Sequence, residues 1–160
     1  MKWGKFVMET QYEINEETMA ILTIDNNSSE VFEVNNHYII SKASNKIMED
    51  SCRYFGSSLD GRRKGTEYMI GISYKPPIIV EESKELIFFP TSNLRENSNW
   101  IGLKYIKSYY REGENLFLKF QNDVKVQLNI SYGILDNQVL RATRLESALR
   151  GRKIAKKRSI

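Results

Sequence analysis

The chain has one cysteine (Cys52), one histidine (His37) and three prolines among its 160 residues. A lone cysteine excludes a disulfide framework and a cysteine metal cluster. No metal site and no cofactor are expected. Long apolar runs are missing too, and nothing approaches the roughly 18 residues that a membrane span requires. Behind Met1-Lys2-Trp3-Gly4-Lys5 stand Glu9, Glu13, Glu16 and Glu17. A secretory or transit peptide would carry an apolar or acid-poor segment there. These absences point to the cytoplasm and away from membranes. What is present is an ordinary globular composition, 41% apolar and 28% charged, with enough length for a single core.

The chemistry of an enzyme is also scarce. His37 and Cys52 could form a thiol nucleophile only if the thiol were activated, and Arg53 is the one nearby group that would lower its pKa. Gly56 to Gly61 has the glycine spacing of a phosphate-binding loop. Arg62 and Arg63 then stand where Lys and Ser/Thr are required. Glu16-Glu17 and Glu81-Glu82 lie in turn-like contexts where solvation explains them. An enzyme is not expected.

Charge is distributed unevenly. Residues 1–140 carry 16 basic groups against 19 acidic ones, whereas residues 141–160 carry eight against Glu146 alone. A balance of −3 followed by +7 is the mark of a polyanion-binding end. The bland alternative for Gly151 to Ile160 is a solvated tail.

Strand signals dominate the chain. Gln11 to Ile14 with Met19 to Ile24, and Val31 to Val34 with Tyr38 to Ser41, read as strands around polar turns. A short helix fits Ser44 to Asp50. Residues 51 to 66 hold three glycines and three serines and read as a loop, with strand resuming over Glu67 to Tyr74. Pro76-Pro77 imposes an extended backbone, followed by strands at Ile78 to Val80 and Leu86 to Phe89. Tyr105 to Tyr110 and Leu116 to Phe120 flank a Gly-containing five-residue turn, a hairpin. Val124, Val126, Leu128 and Ile130 alternate with polar residues. Leu135, Val139, Ala142, Leu145 and Leu149 recur at helical spacing, with Asp136 or Asn137 able to cap the start. The fold class is therefore α+β: a β-rich antiparallel sheet domain over residues 1–150 with one amphipathic helix near the C-terminus. Residues 151–160 form a basic tail.

Gly61-Arg62-Arg63-Lys64-Gly65 places three cations on a segment whose glycines permit close approach to phosphates. Arg141 and Arg144 lie beside the helical stripe and stay free to meet a partner. Arg95 adds a cation in the polar loop Thr91 to Asn99. Composition thus favours nucleic-acid binding, with neither groove nor sequence specified.

Asp50-Ser51-Cys52-Arg53-Tyr54-Phe55-Gly56-Ser57-Ser58, with Gly61-Arg62 and Gly65-Thr66, closely resembles the central block of the ComK family of competence transcription factors. Lys75-Pro76-Pro77-Ile78 follows, then Phe89-Pro90-Thr91 leading to Trp100-Ile101, then Ile130-Ser131-Tyr132 with Asn137-Gln138-Val139 and Arg141. The resemblance runs from about residue 50 to 145 and is looser before that. It implies a transcription activator of DNA-uptake genes that binds paired AT-rich boxes through the minor groove. It also implies a homodimer or dimer of dimers on double-stranded DNA, acting with RNA polymerase. Arg53, Arg62, Arg63 and Arg141 fall in matching blocks as DNA-binding candidates; Lys64, Arg95 and Arg144 rest on charge and placement. The best-known member continues further, with a segment recognised by a proteolytic adaptor. No equivalent follows Gly151 to Ile160, so control through that adaptor is not carried over. Two other readings remain: a ComK-like modulator that does not itself activate, and an RNA-binding module using Tyr54 and Phe55, which otherwise read as core.

Overall fold

The computed structural model describes residues 7–93 and 95–158, which form ten strands and three helices. In chain order these are β1 (Val7–Glu9), β2 (Thr18–Asp25), β3 (Ser28–Glu33), β4 (His37–Ile40), α1 (Ser44–Tyr54), α2 (Leu59–Ile70), β5 (Ile78–Glu81), β6 (Leu86–Pro90) and β7 (Trp100–Gly102). β8 (Ile106–Glu112), β9 (Asn115–Phe120), β10 (Lys125–Leu128) and α3 (Tyr132–Arg158) complete the chain. Seven strands make one sheet in the order β1-β4-β3-β2-β7-β6-β5, and three make a second, β10-β9-β8. Every pairing is antiparallel except β1 with β4. The α+β class holds.

Both faces of the large sheet are buried, and the period-two alternation of its strands divides their side chains between two cores. Ile78, Val80, Leu86, Phe88 and Trp100 face α1, where Ile47, Met48 and Cys52 cover them. Ile79, Ile87, Phe89 and Ile101 point the other way, into a core closed by α3 and the small sheet. There Leu135, Ala142, Leu145 and Leu149 meet Leu116, Leu118, Phe120, Val126 and Leu128. The expected helical stripe and the expected alternation therefore interlock. Each fully buried Leu or Phe contributes about 1.5–3 kcal/mol.

The segment read as a loop is helical. Ser58 begins α2, its Oγ accepting from Gly61 N at 2.9 Å. Gly71 ends it in the left-handed region (φ 73°), so the strand expected over Glu67 to Tyr74 does not form. Two internal glycines lower helix propensity, but packing overrides them. α2 contacts α1, β5 and α3 at the edge of the large sheet. Leu59 joins the α1 core, while Met69 and Ile70 join the α3 core. α3 also differs from expectation. It starts at Tyr132, with Ser131 Oγ accepting from Ile134 N, and it continues through 151–158. Asp136 is not its cap; it accepts from Tyr109 OH at 2.6 Å and ties β8 to the helix. The strand expected over Gln11 to Ile14 is irregular, and β2 instead turns back on β3 at Asn26-Asn27. Among the described residues no helix is long and apolar enough to cross a membrane.

Candidate nucleic-acid interface

Two irregular segments and two helices meet at the β5 edge of the large sheet. The first segment, residues 71–77, runs from α2 into β5 as a strap. Its Lys75 adopts φ 48°, although a residue before proline ordinarily stays extended. α3 holds it there. Gln138, 1% exposed, donates from Nε2 to the Lys75 carbonyl at 3.0 Å, and Arg141 donates from Nη1 to the Tyr74 carbonyl at 2.9 Å.

The second segment is the loop of residues 91–99. Its base is closed by Thr91 N to Asn99 O (3.0 Å) and by Ser98 Oγ, which accepts from Thr91 N and Ser92 N. The start of α1 fastens its return limb. Ser44 Oγ donates to Ser98 O at 2.7 Å, and Asn45 Oδ1 accepts from Trp100 Nε1 at 2.9 Å. Asn93 Oδ1 turns the tip by accepting from Arg95 N. Arg95 is thus exposed on a loop whose base is fixed.

Between strap and loop lies a cleft of about 330 Å³ lined by Arg63, Ser73, Tyr74, Lys75, Asn93 and Arg95, among others. Three cations converge on it from three different elements. Asp60, in the first turn of α2, partly balances this group. It pairs with Arg63 at 2.9 Å and Lys64 at 3.1 Å, and the Arg63 hydrogen bond, with that of Lys64, holds its carboxyl below the usual range. Along the same side, Arg152 lies 5.5 Å from the ring of Tyr68, stacking α3 on α2. Arg144 is exposed and carries no ion pair among the described residues.

The candidates therefore do not all gather. Arg63 and Arg95 line the cleft, Lys64 lies beside Arg63, and Arg141 reaches the strap from α3, with the exposed Arg144 three residues further along that helix. Arg62, one helical position from Arg63, turns inward: it is half-buried, pairs with Glu82 at 3.2 Å, and lies close enough to Cys52 to act on its charge. Arg53 is exposed on α1, against the opposite face of the sheet, with Glu49 at 3.7 Å. Arg150 and Lys153 are committed to Glu85. Lys75 is a cleft cation that sequence reasoning missed, although the two prolines that follow it mark a stiffened segment.

Cys52 is fully buried, and burial pushes its thiol up to about 12. An activated thiolate is incompatible with that site. Tyr54 is two-thirds exposed rather than in the core.

The ComK protein family model matches residues 9–153. This chain belongs to the ComK family. The competence transcription factor of Bacillus subtilis (strain 168) is 35% identical to it over 146 residues, covering 88% of this chain and 76% of that protein. No solved structure matches. Within this ComK chain, three of the resembling blocks meet at one amide. Gln138 Nε2 also donates to the Pro90 carbonyl at 2.7 Å, which joins the Lys-Pro-Pro strap, the Phe-Pro-Thr segment and α3. The central block, by contrast, runs from the end of α1 into α2, and contributes Cys52 and Phe55 to the α1 core.

Proposed function

We propose that the chain regulates transcription of competence genes by binding double-stranded, AT-rich promoter DNA with the face formed by α2, the strap, the 91–99 loop and α3. The observation that carries this reading is the convergence of Arg63, Lys75 and Arg95 on one cleft, flanked by Lys64. A duplex carries one charge per about 1.7 Å of axis, so such a surface gains by releasing its counterions. The minor groove is about 6 Å wide and does not admit a helix. α2 and α3 then lie along the backbone, and an irregular segment enters the groove. Arg95 is the arginine on such a segment here. An arginine inserted into a narrow groove favours A-tracts.

Titration of AT-rich and G·C-rich duplexes of equal length tests this. Tighter binding to the AT-rich duplex, with a log–log salt slope of roughly −0.9 per phosphate neutralised, is the expected outcome. Equal, salt-independent binding contradicts it. On a two-box duplex we place a homodimer or dimer of dimers acting with RNA polymerase, since symmetric sites meet symmetric proteins. A single protomer per complete site, seen by light scattering, contradicts that assembly.

Exposed Tyr54, Tyr68 and Tyr74, at 66%, 84% and 61%, favour a second reading in which single-stranded bases stack on them. Competition of duplex against single-stranded RNA separates the two.

A further inference from the structure

The cleft combines features that a solvated basic patch lacks. Its cations come from α2, the strap and the loop, so bringing them together costs mutual repulsion unless an anion is shared. The Tyr74 and Lys75 carbonyls are taken up by hydrogen bonds from Arg141 and Gln138. Asn93 adds a neutral amide to the lining. Lys75 is kept in a left-handed conformation, at φ 48°, that a side-chain-bearing residue rarely adopts. The Gln138 amide that grips its carbonyl also grips Pro90, the residue that leads into the Arg95 loop.

We propose that this cleft is a phosphate-binding site in which Arg63 and Lys75 hold one phosphate group, and that Gln138 is the positioning residue that fixes its distance from Arg95. This rests on the duplex-binding reading and deepens it: the phosphate belongs to the DNA backbone, and Arg95 enters the groove beside it. Arg141 acts with Gln138 by holding the strap, not by touching DNA. The Asp60 carboxylate occupies Arg63 until the phosphate replaces it. Gln138 carries no charge, so its effect on an electrostatic quantity is transmitted through the groups it holds: the strap, Pro90, and Arg141, whose Nη1 lies 3.5 Å from its Oε1.

The test measures duplex affinity against salt for the full chain and three variants, with circular dichroism confirming the fold. Lys75→Gln/Arg63→Gln should make the log–log slope shallower by about 0.9 for each phosphate no longer neutralised, equally on AT-rich and G·C-rich duplexes. Arg95→Gln should shrink the AT preference. Gln138→Leu, neutral and folded, should do both. A purely structural Gln138 would lower thermal stability and leave slope and preference unchanged. The double surface variant leaves packing intact and tests the phosphate site even where Gln138→Leu does not fold. An unchanged slope in that variant overturns the proposal.

A second arm uses inorganic pyrophosphate. It should raise the melting temperature of the parent and not that of Lys75→Gln/Arg63→Gln. If the parent ignores duplex DNA but keeps this pyrophosphate response, the DNA reading fails and the phosphate site stands for a free ligand. If duplex binds, while both slope and pyrophosphate response survive the double substitution, the site fails and the DNA reading stands.

Discussion

Arg150 reaches from the exposed side of α3 to Glu85 in the β5–β6 turn, its Nε 3.1 Å from both carboxylate oxygens and its Nη2 2.8 Å from Oε1. The Arg150 hydrogen bond, together with the nearby charges of Arg150 and Lys153, holds the Glu85 carboxyl below its usual range. Lys153 also donates to the Glu82 carbonyl at 2.8 Å. The basic end of the helix is thus fastened to the sheet edge, which fixes its direction beside the candidate interface.

That fastening is pH-dependent. A carboxyl whose folded pKa is depressed stabilises the fold above its unfolded value, near 4.5 for Glu85, and the contribution disappears as pH falls through the lower folded pKa. Amide protection in residues 153–157, taken relative to the intrinsic exchange rate at each pH, should fall below about pH 4. In Glu85→Gln it should be low already at neutral pH. Equal protection in parent and variant at pH 7 contradicts the role given to this pair.

Cys52 should behave as an inert core residue. Alkylation at pH 8 should be negligible in the folded protein and rapid in denaturant, because the raised thiol pKa leaves almost no thiolate. Cys52→Ser should cost about 1–3 kcal/mol in urea unfolding, since a hydroxyl placed there is buried among Ile47, Met48 and Phe88.

Gly102 packs where a side chain has no room. A Cβ there would lie 3.0 Å from the Phe88 ring and 3.1 Å from the Met19 carbonyl. The backbone oxygen cannot rotate away, so Gly102→Ala should destabilise by about 1–3 kcal/mol. A melting temperature equal to the parent's would show that β7 shifts freely.

Leu145 is fully buried where α3 meets both sheets. Leu145→Ala should cost about 2–5 kcal/mol. The small sheet should lose amide protection along with the large one, because both close the same core.

How much of this was legible depended on what forms each element. Alternation at Leu116 to Phe120 and the Leu135–Leu149 stripe are properties of one face, and both were readable from spacing alone. α2 was not, because Gly61 and Gly65 argue against a helix and its support comes from distant elements, Leu59 from one core and Met69 from the other. Its local signals were nevertheless present: Ser58 as cap, Asp60 in the first turn and Gly71 past the end. A loop would group Arg62 with Arg63, whereas about 100° per residue along α2 turns one inward and the other to the cleft. The arginine on an irregular arm is therefore Arg95 in its loop, not a residue of α2. Gln138 stands in the Asn137-Gln138-Val139 motif with no role legible there, since nothing in a sequence says which two carbonyls a glutamine will join.

Amide hydrogen exchange of the full chain, with and without an AT-rich duplex, locates the interface most directly. The account predicts new protection in α2, in residues 71–77, in the 91–99 loop and on α3 near Arg144, with α1 around Arg53 unchanged. Protection confined to α1 and the β1–β4 side, with the cleft unaffected, would contradict it.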